Sequence, residues 1–145
     1  MSVTIKSYRR EREREIIDGL QKALEKVGQL VENDAGKNII NHSSSTPWKD
    51  TGQLARAVTH IVSEGAVEIG IKQGEQSKGK SLAKIGKWLE LGHSQHPGQF
   101  VKDVGARLVA SSVPPYPWLF PALESNRQKI IDLLKKSGAK GISID

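Results

Sequence analysis

Residues 57–71, AVTHIVSEGAVEIGI, have the pattern of two β-strands joined by a turn, and the predicted fold is built around them. β-Branched and other apolar residues alternate with polar ones on both sides of Glu64-Gly65, a dipeptide typical of a turn between two strands. Residues 57–63 and 67–71 therefore predict an antiparallel β-hairpin. Because side chains alternate between the two faces of a strand, one face of this hairpin is expected to be buried.

A long helix is predicted before the hairpin, from about Tyr8 to Asn41. Apolar residues recur there at steps of three and four, the spacing that places side chains on one helix face. They are Ile16, Ile17, Leu20, Leu24, Val27, Val31, Ala35 and Ile39. Gly28 and Gly36 interrupt this helix, and each weakens it by up to ~1 kcal/mol relative to alanine. We expect them to mark a bend or a close contact.

Two further helices are predicted after the hairpin. The first ends at Gly92, and its shared apolar face consists of Leu82, Ile85, Trp88 and Leu89. The second begins near Leu119, because Pro121 is tolerated only in a first helical turn. Its predicted inward face consists of Leu119, Leu123, Ile130 and Leu134.

These elements predict an α+β fold, in which a small antiparallel sheet packs with a long N-terminal helix and a C-terminal helix. We expect a single domain over residues 1–145, with a possible third strand at 108–113. Mobile loops are expected at about 72–80 and 93–106, where glycine, serine and charged residues dominate. Residues 138–145 are expected either to fray or to add an edge strand through Ile142 and Ile144.

The composition excludes several classes of protein. The chain has 145 residues and no cysteine, which excludes disulfide frameworks, thiol catalysis and cysteine-ligated zinc. We expect neither a signal peptide nor a membrane helix, and hence synthesis in a cytoplasm. The net charge of +6 favours contact with nucleic acid as one interpretation. However, the basic residues are scattered, and the N-terminal arginines are interleaved with glutamates.

The residues that could carry chemistry predict no catalytic, cofactor or metal site. His93 and His96 are three residues apart but lie in a loop bounded by glycine and proline, and His42 and His60 have no carboxylate at a recognisable ligand spacing. The glycines of residues 74–79 match no phosphate-binding template, and no serine has the partners of a nucleophile. We therefore expect a protein that is not an enzyme.

Three motifs occur in a fixed order along the chain: PWKDTGQL at residues 47–54, IGKWLELG at 85–92 and PYPWLFPALE at 115–124. Each alone is unspecific. Together with the long helix and the hairpin, they resemble the tail-component family of lambdoid and related long-tailed bacteriophages, over about residues 16–134. Members of that family are described as minor tail, tail completion or head–tail joining proteins.

The resemblance has departures. Tyr116 stands where the family has a basic residue, Trp118 where phenylalanine is common, and His93 where threonine is usual. The segment between Gly92 and Pro114 is also long.

The resemblance implies a ring-forming homo-oligomer, expected to be a hexamer, that completes or terminates the head-proximal end of the tail. Its partners would be the tail-tube protein and the head–tail connector proteins, with non-specific contact to DNA in the channel, and its location would be the virion. The alternative is a small basic nucleic-acid-binding module. A toxin or inhibitor encoded among phage genes is a third possibility, which no residue supports specifically.

Trp118, Leu119 and Phe120 are consecutive large apolar residues braced by Pro117 and Pro121. One helix face cannot bury all three, because successive side chains are ~100° apart. We expect Leu119 to be the core residue, and at least one of the two aromatic side chains to reach a neighbouring subunit. The full set of predicted interface residues is Tyr116, Trp118, Phe120, Thr51, Lys78 and Lys80.

Overall fold

The computed structural model describes residues 9–41, 51–77, 79–94, 100–101, 106–107 and 112–137. Four helices are present: α1 (Arg9–Asn41), α2 (Thr51–Arg56), α3 (Leu82–Leu91) and α4 (Leu119–Lys136). The two longer strands are β1 (Val58–Ser63) and β2 (Ala66–Ile71). Six two-residue strands complete the described part: β3 (Gln76–Ser77), β4 (Lys80–Ser81), β5 (His93–Ser94), β6 (Phe100–Val101), β7 (Ala106–Arg107) and β8 (Ser112–Val113).

The predicted hairpin is confirmed. β1 and β2 pair antiparallel, from Val58 opposite Ile71 to Ser63 opposite Ala66. Gly65 closes the turn with a φ of 74°, a backbone conformation that glycine adopts without steric cost. The face carrying Val58 packs on α1, whereas Ile61 on the opposite face is exposed.

The long helix α1 is also confirmed, and it organises the molecule. The hairpin, α2 and α4 all pack against it. Its buried side runs from Ala23 to Ile39. Together with the other three helices and the hairpin it forms the core, whose buried members are Ala23, Leu24, Val27, Val31, Ala35, Ile39, Leu54, Val58, Leu82, Ile85, Leu89, Trp118, Ala122, Ile130 and Leu134. The α+β class is therefore as predicted.

The N-terminal part of α1 corrects the predicted apolar stripe. Ile16 and Ile17 are exposed, although the spacing places them in line with the buried residues. The reason is the length of the partner helix: α4 ends beside Gly19, where an added Cβ would lie 3.4 Å from the Ser137 carbonyl oxygen. No other described element covers α1 before that point.

The first turn of α4 differs from the prediction in its phase. Trp118, and not Leu119, is the fully buried residue, while Leu119 is half-buried. Leu123 is 38% exposed, which overturns its predicted inward position. The buried stripe of α4 consists instead of Ala122, Asn126, Ile130 and Leu134.

The predicted loops contain short paired segments. β3 pairs with β4 within residues 72–80 and their neighbour Ser81, and Ser77 is buried there. β6 pairs with β7, and β5 pairs with β8, which is the described end of the predicted third strand. In the described part, that strand therefore does not extend the main hairpin. The predictions for Lys78, His42, His96 and residues 138–145 lie outside the described residues.

Candidate functional site

The site with the most distinctive geometry is the junction between the end of α3 and the start of α4. Glu90, in the last turn of α3, accepts hydrogen bonds from three consecutive backbone N–H groups. Its Oε2 accepts from Trp118 N at 2.7 Å and from Leu119 N at 2.8 Å, and its Oε1 accepts from Phe120 N at 2.9 Å.

This carboxylate replaces a local helix cap. The first N–H groups of a helix have no partner inside the helix and carry the positive end of its dipole. Trp118, which precedes the first helical residue, offers no capping side chain. Pro121 has no N–H at all, so Glu90 and this proline together account for the N–H groups from Trp118 to Pro121. A negative charge at this end stabilises α4.

The Trp118 side chain fixes the same junction from the inside. Its indole Nε1 donates to the Gly86 carbonyl oxygen at 2.9 Å, and the residue is 4% exposed. A Cβ at Gly86 would overlap Ile71 Cδ1 and lie 3.3 Å from Trp118 Cζ2. Tyr116 N donates to the Leu89 carbonyl oxygen at 2.6 Å. The second and third sequence motifs are therefore a single structural unit.

α1 holds the other side of this unit through two amides. Asn38 Nδ2 donates to the Trp118 carbonyl oxygen at 3.0 Å. Buried Asn126 donates to Asp34 Oδ2 at 2.6 Å and to the Ala122 carbonyl oxygen at 2.9 Å. The hydrogen bond from Asn126 lowers the pKa of Asp34 below its ordinary value of 3.8, while burial opposes the shift.

Around the junction, large apolar side chains face solvent. Leu91, next to Glu90, is 67% exposed, and Phe120 is 62% exposed. Trp88 and Leu123 are also exposed, which corrects the predicted place of Trp88 on the apolar face of α3. Each lies three residues from Leu91 or Phe120, on the same helix face. We call these four residues the junction surface. Leu91 also borders a shallow, mostly apolar groove of about 250 Å³ between β2, α3 and the start of α4.

The predicted interface residues differ in their burial and position. The prediction for Trp118 is wrong, because its buried, hydrogen-bonded indole cannot contact another subunit in the folded protein. Phe120, in contrast, is exposed. Tyr116 is half-buried against the core. Thr51 begins α2 and Lys80 begins β4, so neither belongs to the junction, and Lys78 lies outside the described residues.

Sequence reasoning missed Glu90 and Leu91 as individual residues, although both lie in a motif that it singled out. The spacing of Glu90 and Trp118 along the chain is 28 residues, and no local periodicity connects positions so far apart. The signal that could have found Glu90 is the absence of a capping side chain before Leu119, which demands an acceptor from another element.

A second, more open cleft of about 560 Å³ lies between α2, β1 and the segment before β3. Its charged lining residues are Glu32, Arg56, Lys72 and Glu75. Equal numbers of acidic and basic groups give this cleft no preference for an anion or a cation.

Within the described ranges, no group of three or more histidine, aspartate or glutamate side chains is placed to hold a metal ion. Among the described helices, none is both long and apolar enough to cross a membrane. In comparisons with known proteins, the chain matches no family model, and no characterised protein and no solved structure shows significant similarity to it.

Proposed function

We propose that this chain is a structural subunit of a long-tailed bacteriophage or prophage, which completes or terminates the head-proximal end of the tail and makes it competent to join the head. The proposal starts from the order and spacing of the three sequence motifs. The observation that supports it best is the Glu90 junction, in which the second and third motifs depend on one another. Motifs that build one rigid unit are expected to occur together.

The junction surface supports an assembly role. Exposed Leu91 and Phe120 lie on helices whose ends are locked together by hydrogen bonds. Large apolar residues on a rigid support are typical anchors of protein interfaces, because little side-chain or backbone freedom is lost when they are buried. We assign this surface to contacts with copies of the same chain in a ring, a hexamer by the family resemblance, or with the adjoining tail-tube and connector proteins.

Inactivation of the gene in the phage or prophage that encodes the chain tests this proposal. Electron micrographs of the lysate are expected to show filled heads separate from tails, and expression of the wild-type chain in trans should restore joined particles. Joined, infectious particles in the absence of the chain would overturn the proposal.

The alternative is a small nucleic-acid-binding module, which the net charge of +6 favours. Such a module should bind duplex DNA with submicromolar affinity, and the affinity should fall steeply with salt because bound counterions are released. The structural role predicts only weak, non-specific binding. Titration of labelled DNA at two salt concentrations distinguishes the two functions.

A further inference from the structure

His60 occupies an unusual position on the hairpin. It lies on the same strand face as Val58 and Val62, with Ile69 directly opposite on β2. This face packs on α1, and the His60 side chain is only 13% exposed. An apolar residue would be expected in such a position, so the imidazole must be stabilised by specific partners.

Both ring nitrogens have a carboxylate partner from α1. Nδ1 is hydrogen-bonded to Glu32 Oε2, and Nε2 is hydrogen-bonded to Glu25 Oε1 at 2.8 Å. Glu25 and Glu32 are seven residues apart, two helical turns, and therefore lie on the same face of α1. The ring spans the distance between them.

Gly28 makes this arrangement possible. It lies between the two glutamates on the same face of α1, and a Cβ there would overlap His60 Cδ2 and Cγ. The imidazole therefore rests directly on the helix backbone. The two carboxylates approach opposite nitrogens of the ring, so they do not converge on one point as the ligands of a metal ion would.

We infer that His60, Glu25 and Glu32 form a proton-dependent clasp, which holds α1 on the hairpin when the imidazole carries both protons and loosens when one proton is lost. An imidazolium donates two hydrogen bonds, one from each nitrogen, whereas a neutral imidazole donates only one. After deprotonation, a lone pair must face one of the carboxylates. That contact then changes from an attraction to a repulsion.

The charges around the ring act in the same direction. The hydrogen bonds that the ring donates to Glu32 and, next, to Glu25 raise the pKa of His60 above its ordinary value of 6.5, against the smaller effect of burial. β2 contributes no charged side chain on this face, since Ile69 lies opposite His60 and Glu68 belongs to the other face. Because the pKa is raised on folding, the clasp stabilises fully below pH 6.5 and loses its contribution as the pH rises through the folded-state pKa.

The clasp has a consequence for the whole domain, because α1 carries α4 on another side. A proton gained or lost at one histidine changes how firmly the hairpin is held to the helix that supports the rest of the core. This inference does not depend on the proposed function and applies to the isolated chain.

The test is an NMR titration of the histidine ring protons in the full chain, with His60 assigned by comparison with His60→Gln. We expect the pKa of His60 to lie above 6.5 and to fall in both Glu32→Gln and Glu25→Gln, more in the former because Glu32 is less exposed (31% against 60%). Glu13→Gln, on the same helix but paired with Arg9, should leave it unchanged.

A second measurement keeps the inference testable if Glu25→Gln or Glu32→Gln does not fold. The difference in melting temperature between wild type and His60→Gln should shrink as the pH rises, because only the wild type can lose the clasp. A wild-type His60 that titrates at or below 6.5, or a difference in melting temperature that is the same at every pH, would overturn the inference.

Discussion

At the residue scale, Gly28 and Gly36, two of the three glycines in α1, differ in what surrounds them, and the sequence alone does not reveal this difference. Both lie inside a helix, where glycine is unfavourable by up to ~1 kcal/mol relative to alanine. Gly28 contacts the His60 ring, whereas a Cβ at Gly36 would meet only the Ala55 carbonyl oxygen at 3.6 Å, an ordinary contact. Of the predicted explanations, close contact therefore applies to Gly28.

This difference gives a matched pair of variants. Gly36→Ala should leave the free energy of unfolding unchanged or raise it by up to ~1 kcal/mol, because alanine favours the helix. Gly28→Ala should lower it by about 1–3 kcal/mol, because the added methyl group displaces a ring held by two carboxylates. Urea denaturation of both variants measures the two changes. Equal effects of the two substitutions would mean that the His60 ring does not rest on Gly28.

At the scale of elements, Glu90 couples two helices that are distant in sequence. Its carboxylate accepts hydrogen bonds from three N–H groups at the start of α4, and hydrogen bonds to a charged group are stronger than those between neutral groups. We expect Glu90→Ala to destabilise the chain by about 2–3 kcal/mol, since three N–H groups lose their acceptor. Glu90→Gln keeps an acceptor oxygen but loses the charge, and should cost less.

The control for this pair is Glu124→Ala on the exposed side of α4, where the carboxylate is 3.7 Å from Arg127. An exposed ion pair contributes little, so this variant should change stability by less than about 1 kcal/mol. Thermal or urea unfolding of the three variants measures these changes in stability. If Glu90→Ala were as stable as Glu124→Ala, the hydrogen bonds from the start of α4 to Glu90 would not contribute to stability.

Some of these elements could be predicted from the sequence and others could not. α1 and the hairpin were predictable because their signals are local: a three-to-four periodicity and an alternation around Glu64-Gly65. The phase of α4 was not. Trp118 has a φ of −125° and precedes the helix, so its direction does not follow helical geometry.

The burial pattern of α4 has an equally specific cause. Asn126, for which the sequence predicted no position, is tolerated in the core because Asp34 and the Ala122 carbonyl oxygen both accept hydrogen bonds from its amide. Leu123, which is apolar, was assigned the inward position that Ala122 and Asn126 occupy. The partners of His60 and of Glu90 could not be predicted for a different reason, since each partner lies on an element distant in sequence.

At the scale of the whole molecule, Trp118 and Phe120 distinguish a role in folding from the proposed role in assembly. Trp118→Ala should lower the free energy of unfolding by about 3–5 kcal/mol, because a buried indole and its hydrogen bond to Gly86 are lost. Phe120→Ala removes an exposed ring and should change the stability of the subunit by less than about 1 kcal/mol.

If the junction surface is an interface, the folded Phe120→Ala subunit should nevertheless fail to restore joined particles in a phage that lacks the wild-type chain. Melting curves establish that the variant is folded, and electron micrographs count the joined particles. If Phe120→Ala fully restored joined particles, the junction surface would not be the proposed interface.

The most direct measurement of the proposed function is the position of the chain in intact particles. An epitope tag on the chain, detected with gold-labelled antibody in electron micrographs, reports that position without any assumption about which residues form the interface. We expect gold at the head-proximal end of the tail, on joined particles and on free tails. Gold at the distal tip, or particles that carry no label while the tagged chain remains free in the lysate, would contradict it.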